Sequence, residues 1–100
     1  MKAQEFYVEL KKTLNKGYKL TKNTKNGNDV GIRLFKNHRT FCPITAVCHA
    51  TTGRYFDPNY VMHANKYLRL HHDVVNNIVA AADDEGAPKV RKQLKATLGI

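Results

Sequence analysis

The stretch Thr40-Phe41-Cys42-Pro43-Ile44-Thr45-Ala46-Val47 decides the fold. Pro43 cannot continue a paired strand, yet it suits the first turn of a helix, where its missing amide hydrogen costs nothing. Ile44, Val47 and Cys48 then make one apolar stripe at helical spacing. An extended segment therefore turns into a short buried helix at residue 43, ended by Thr51, Thr52 and Gly53.

Upstream of that corner, residues 30–35 and 40–42 read as a small β-hairpin. Val30, Ile32 and Leu34 alternate with Gly31 and Arg33, and the break is Lys36-Asn37-His38-Arg39. Residues 18–29 are rich in Asn, Thr and Gly with Leu20 as the one aliphatic side chain, which predicts a mobile, lysine-rich loop. Within it, Tyr18 and Leu20 alternate with lysines ahead of the Asn26-Gly27 turn signal, as in a short edge strand. Ala3, Phe6, Tyr7, Leu10, Thr13 and Leu14 recur at helical spacing, so an amphipathic helix opens the chain, with Gly17 placed to end it.

Downstream, Asp57-Pro58 starts a helix over residues 58–70 that buries Tyr60, Val61, Ala64, Tyr67 and Leu68. Asp73 starts another, burying Val74, Val75, Ile78, Val79 and Ala82. Asp83, Asp84 and Glu85 oppose the dipole at a helix C-terminus but favour the next N-terminus, so a tight corner with Gly86 and Pro88 is expected there. Val90, Leu94 and Leu98 form the inner face of a last helix; Lys89, Arg91, Lys92 and Lys95 cover its outer side, and Gly99 closes it. The reading is mostly α with a small β-hairpin (α+β): about five short helices in one compact domain. Its expected core is Ile44, Val47, Val61, Ala64, Leu68, Val75, Ile78, Val79, Leu94 and Leu98.

A chain of 100 residues with 42% hydrophobic content supports one small core, which a homodimer interface could supplement. The start carries two glutamates and no apolar run, which predicts neither a secretory signal nor a membrane span and implies a cytoplasmic protein. Cys42 and Cys48 are too few for a disulfide framework. The formal charge of +9 is unevenly spread: residues 11–39 hold nine basic residues against Asp29 alone, whereas from residue 51 onward seven face five acids. A one-sided basic field attracts polyanions such as DNA or RNA, an acidic protein surface or anionic lipid, though no membrane partner is expected here.

The order Cys42-Pro43-Ile44-Thr45-Ala46-Val47, then Asn76 to Asp83 ending in Ala80-Ala81-Ala82-Asp83, then Leu94-Lys95-Ala96-Thr97-Leu98-Gly99, resembles small uncharacterised proteins encoded by bacteriophages and prophages. That family has no assigned activity, so no catalytic residue carries over. The resemblance implies a setting in which small proteins bind and divert host machinery or nucleic acid.

Catalysis is not expected. Cys42, Cys48, His49, His63, His71 and His72 are the candidate nucleophiles and ligands, but Cys42-x5-Cys48 lacks the short knuckle of a zinc site. Cys48 and His49, adjacent on a helix, diverge by about 100°. No carboxylate pair and no glycine-rich phosphate loop is present. No cofactor or metal is expected, the zinc alternative being Cys42, Cys48, His63 and His72.

Binding readings remain. In the favoured one, Lys19, Lys22, Lys25, Arg33, Lys36, His38, Arg39, Lys89 and Lys92 grip nucleic-acid phosphates while Tyr18, Tyr55 or His38 stack on bases. In the alternative, the same surface docks on an acidic host protein or nucleoprotein complex, as an anti-defence or host-takeover inhibitor would. A helix-turn-helix over residues 58–83 is disfavoured, because its second helix offers only Asn76 and Asn77 as base readers.

Overall fold

The described chain runs α1 (Ala3–Leu14), β1 (Lys19–Lys25), β2 (Asn28–Lys36), β3 (Arg39–Phe41), α2 (Pro43–Thr52), α3 (His72–Ala82) and α4 (Pro88–Leu98). The computed structural model describes residues 1–25, 28–54 and 66–100, with the backbone alone at 22–25 and 28–30. It is the expected α+β domain. The helix expected over residues 58–70 lies mostly outside the described residues, as do Val61 and Ala64; residues 66–68 are helical.

The corner at Pro43 forms as its sequence dictates. Cys42 is extended and caps α2, its Sγ accepting the Thr45 amide at 3.5 Å, while Thr45 Oγ1 donates to the Cys42 carbonyl at 3.1 Å. Pro43, Ile44, Ala46, Val47 and Cys48 are buried, and Gly53 ends the helix in the left-handed region at φ 74°.

The lysine-rich stretch read as a loop over residues 18–29 is instead largely strand. β1 pairs antiparallel with β2 from Lys19↔Phe35 to Lys25↔Asn28, with an irregularity at Asn23/Thr24. Its Thr, Asn and Lys composition hides this, because strand preference is set by what a segment packs against as much as by its own residues. Here the partner row is decisive: fully buried Leu34 lies opposite Leu20 on one side and Phe41 on the other. β2 and β3 close at Lys36↔Arg39, so the hairpin turn is two residues rather than four. Asn37 and His38 both have positive φ, 52° and 65°, the backbone of a type I′ turn.

The helices pack on this sheet and on one another. α1 buries Phe6, Leu10 and Thr13, α3 buries Val75, Ile78, Ala81 and Ala82, and α4 buries Leu94 and Leu98. Of the expected core, Ile44, Val47, Leu68, Val75, Ile78, Leu94 and Leu98 are buried; Val79 is only half-buried, at the edge of its stripe. His71 rather than Asp73 caps α3, its Nδ1 accepting the Asp73 amide at 3.2 Å. No helix among the described residues is long and apolar enough to cross a membrane.

The acidic corner after α3 is held by two arginines from elsewhere. Arg33 Nη2 on β2 donates to Asp83 Oδ1 at 2.5 Å. Arg91 on α4 turns inward rather than covering the outer side: Nη1 donates to the carbonyls of Ala81 at 2.8 Å and Ala82 at 3.3 Å, and Nε lies 3.5 Å from Asp84 Oδ1. Both guanidiniums thus meet the negative end of α3 and the carboxylates that would oppose it. Gly31 permits this approach, since a Cβ there would lie 3.0 Å from the Ala82 carbonyl and 2.9 Å from Arg33 Nη1.

Candidate nucleic-acid interface

The nine cationic positions expected to bind divide by what their side chains already do. Lys19 on β1 and Lys89 and Lys92 on α4 are exposed and make no ion pair among the described residues, and Lys95 joins them. His38 stands exposed in the hairpin turn, with Arg39 exposed beside it. The side chains of Lys22 and Lys25 lie outside the described part of the chain.

Arg33 and Lys36 are occupied internally. Arg33 holds Asp83, as above. Lys36 Nζ donates to the Lys16 carbonyl at 2.8 Å, beyond the end of α1, and sits 4.7 Å from the centre of the Tyr18 ring. A cation over an aromatic face and against a carbonyl ties the end of α1 to β2.

Tyr18 is not a base-stacking platform. It is 3% exposed, packs edge-on against Phe41, and its hydroxyl meets His49 Nδ1. His49 also stacks on Phe41, with ring centres 5.1 Å apart. Burial holds the His49 imidazole below its ordinary pKa of 6.5, and the positive charges of Lys36 and Arg39 act in the same direction. Tyr55 lies outside the described residues.

The exposed aromatic on the sheet is Phe35, 39% accessible, which sequence reasoning passed over. It lies directly across from Lys19 on β1 and Thr40 on β3, both exposed, and packs edge-on to His38 with ring centres 6.5 Å apart. The signal was available: in strict alternation Phe35 follows buried Leu34 onto the opposite side of the strand.

A groove of about 360 Å³ between the β1–β2 pair and α4 is lined by Thr21, Ile32, Arg33, Arg91, Lys95 and Ile100, among others. The charged side chains on its wall, Arg33, Arg91 and Lys95, are cations. A second recess lies between α1 and α4, where Lys11 borders Gln93 and Thr97. Positive side chains thus border the sheet, α4 and α1 in turn.

Among the described residues, the cysteines and histidines do not assemble into a four-ligand site. Cys48 is fully buried, and burial, with the neighbouring Cys42, pushes its thiol up to about 12. Among the described residues only His71, His72 and Asp73 bring ligand atoms together, within 4.8 Å; Cys42 and Cys48 are not part of that group, and His63 lies outside the described residues. The three are exposed at the N-terminus of α3, where His71 Nδ1 is the helix cap. No known family, curated protein or solved structure matches this chain.

Proposed function

We propose that this chain is a non-enzymatic, basic nucleic-acid-binding domain, of the kind a phage or prophage encodes to act on nucleic acid or a nucleoprotein complex. One observation carries the reading. Three acids are paired within the chain, Asp83 with Arg33, Asp84 with Arg91 and Glu9 with Lys12, while Lys19, Lys89, Lys92 and Lys95 face solvent without an ion pair among the described residues. A field left standing in this way, on a chain of formal charge +9, attracts and orients phosphates.

The test is binding against salt. On a duplex of mixed sequence, log affinity should fall linearly with log salt, and each of Lys19→Gln, Lys89→Gln and Lys92→Gln should reduce the slope by roughly one. Capture from lysate with and without nuclease supplies the second arm. A partner that survives nuclease digestion points instead to an acidic protein target, and a complete absence of affinity for DNA and RNA at low salt overturns the reading.

A further inference from the structure

We infer that the exposed patch around Phe35, at the hairpin end of the sheet, is a platform for single-stranded nucleic acid, with the Phe35 ring stacking on an unpaired base. The inference rests on the nucleic-acid reading above and deepens it from phosphate attraction to a class of ligand. Three features of the same row carry it.

The first is position. In β2, Ile32 and Leu34 are buried, and Phe35 points to the side they leave. A phenylalanine in the middle of a row whose other members are Lys19 and Thr40 contributes nothing to the core and keeps part of its ring in water. The second is charge complementarity. Strands in a sheet lie about 4.7–4.9 Å apart, and Lys19, directly across on β1, brings an exposed cationic side chain to the neighbouring strand position. On the other side stand exposed Thr40 and the His38 imidazole, which meets Phe35 edge-on at 86°. A nucleotide stacked on Phe35 therefore finds cationic or hydrogen-bonding groups to either side for its phosphates.

The third is what the row lacks. Reading a duplex requires donors and acceptors aimed at base edges, usually from a helix or a β-ribbon in a groove. Phe35 offers only a π-face, which a base presents only when it is unpaired. Aromatic rings on an open sheet flanked by cations accept any base, so little sequence preference is expected.

The experiment is fluorescence anisotropy with labelled oligothymidylate, oligouridylate and a duplex of equal length, between about 50 and 200 mM salt. Phe35→Ala, Phe35→Trp and Lys19→Gln are compared with the wild type, with circular dichroism confirming the fold of each. Phe35→Ala should weaken single-strand binding by about fivefold to a hundredfold without changing the salt slope, because it removes stacking and no charge. Phe35→Trp should retain or improve affinity, and the duplex should be insensitive to both. Lys19→Gln should lower the slope by roughly one. If Phe35→Ala leaves single-strand affinity unchanged, or weakens duplex and single strand equally, the platform is refuted while basic binding stands. If the wild type binds neither ligand, both readings fall.

Discussion

Replacing Arg33 with methionine tests the clasp that closes the acidic corner, because it keeps an apolar stem along the strand while deleting the guanidinium. Arg33 and Asp83 keep 20% and 27% side-chain exposure, which places the pair between a solvated ion pair, worth about 0–1 kcal/mol, and a buried one whose breaking costs about 3–5 kcal/mol. A hydrogen bond to a charged group at this depth contributes about 1.5–3 kcal/mol. Leaving Asp83 unpaired beside the C-terminus of α3 adds an unfavourable dipole contact of about 0.3–1 kcal/mol. Arg33→Met should therefore cost about 2–3 kcal/mol, and for a domain of this length each kcal/mol lowers Tm by about 4–8 °C. The assay is thermal and urea unfolding followed by circular dichroism, in a double-mutant cycle with Asp83→Asn. A coupling energy of about 1–2 kcal/mol is expected, only partly lost at high salt. If the two single changes add without coupling, the arginine and the aspartate act independently and the clasp is refuted.

Ile78, buried on α3, should lose about 2–5 kcal/mol on truncation to alanine, measured as a drop in urea midpoint with unchanged slope. His49 makes stability pH-dependent: its folded pKa lies below 6.5, so the unfolded chain takes up the proton first and stability is lost as pH falls from 6.5 toward the folded value. His49→Gln should flatten the urea midpoint across that window, and an undiminished slope in the variant would assign the dependence to another group. Cys48, with its thiol pushed up to about 12 and its side chain fully buried, should resist thiol reagents at mildly alkaline pH until the protein is unfolded, whereas partly exposed Cys42 should react in the native state. Mass spectrometry of the labelled peptides decides between them.

The parts legible in sequence are those where local chemistry and burial agree. Pro43 after Cys42 fixes the strand-to-helix corner, Gly53 and Gly99 stop their helices in the left-handed region, and the Leu94 and Leu98 spacing fixes which side of α4 is buried. β1 was opaque because its evidence lies on another strand: Leu20 becomes informative only when Leu34 is known to stand opposite. The two-residue turn was misjudged for a related reason. Asn37-His38 accepts positive φ at both positions, but the flanking Lys36 and Arg39 read as loop until they pair. At the interface, Lys19, Lys89 and Lys92 were legible as surface cations, whereas the fates of Arg33 and Lys36 depend on Asp83 and Lys16, fifty and twenty positions away.

That difference changes how the net charge should be understood. Counted along the chain, the excess sits in residues 11–39, and Arg33 and Lys36 look like its centre. In three dimensions both are drawn inward, one onto the acids of the α3–α4 corner and the other onto a carbonyl and an aromatic ring. Their positive charge still adds to the long-range field; at His49, whose pKa is lowered chiefly by burial, Lys36 and Arg39 act in the same direction. Some of their hydrogen-bond donors, however, are engaged within the fold, which holds both side chains in place. On the proposed function, Arg33 and Lys36 would act mainly through the long-range field, and exposed Lys19, Lys89, Lys92 and Lys95 would make the contacts. A charge-removal series confined to residues 11–39 would mix loss of stability with loss of binding and would miss the lysines of α4 that complete the surface.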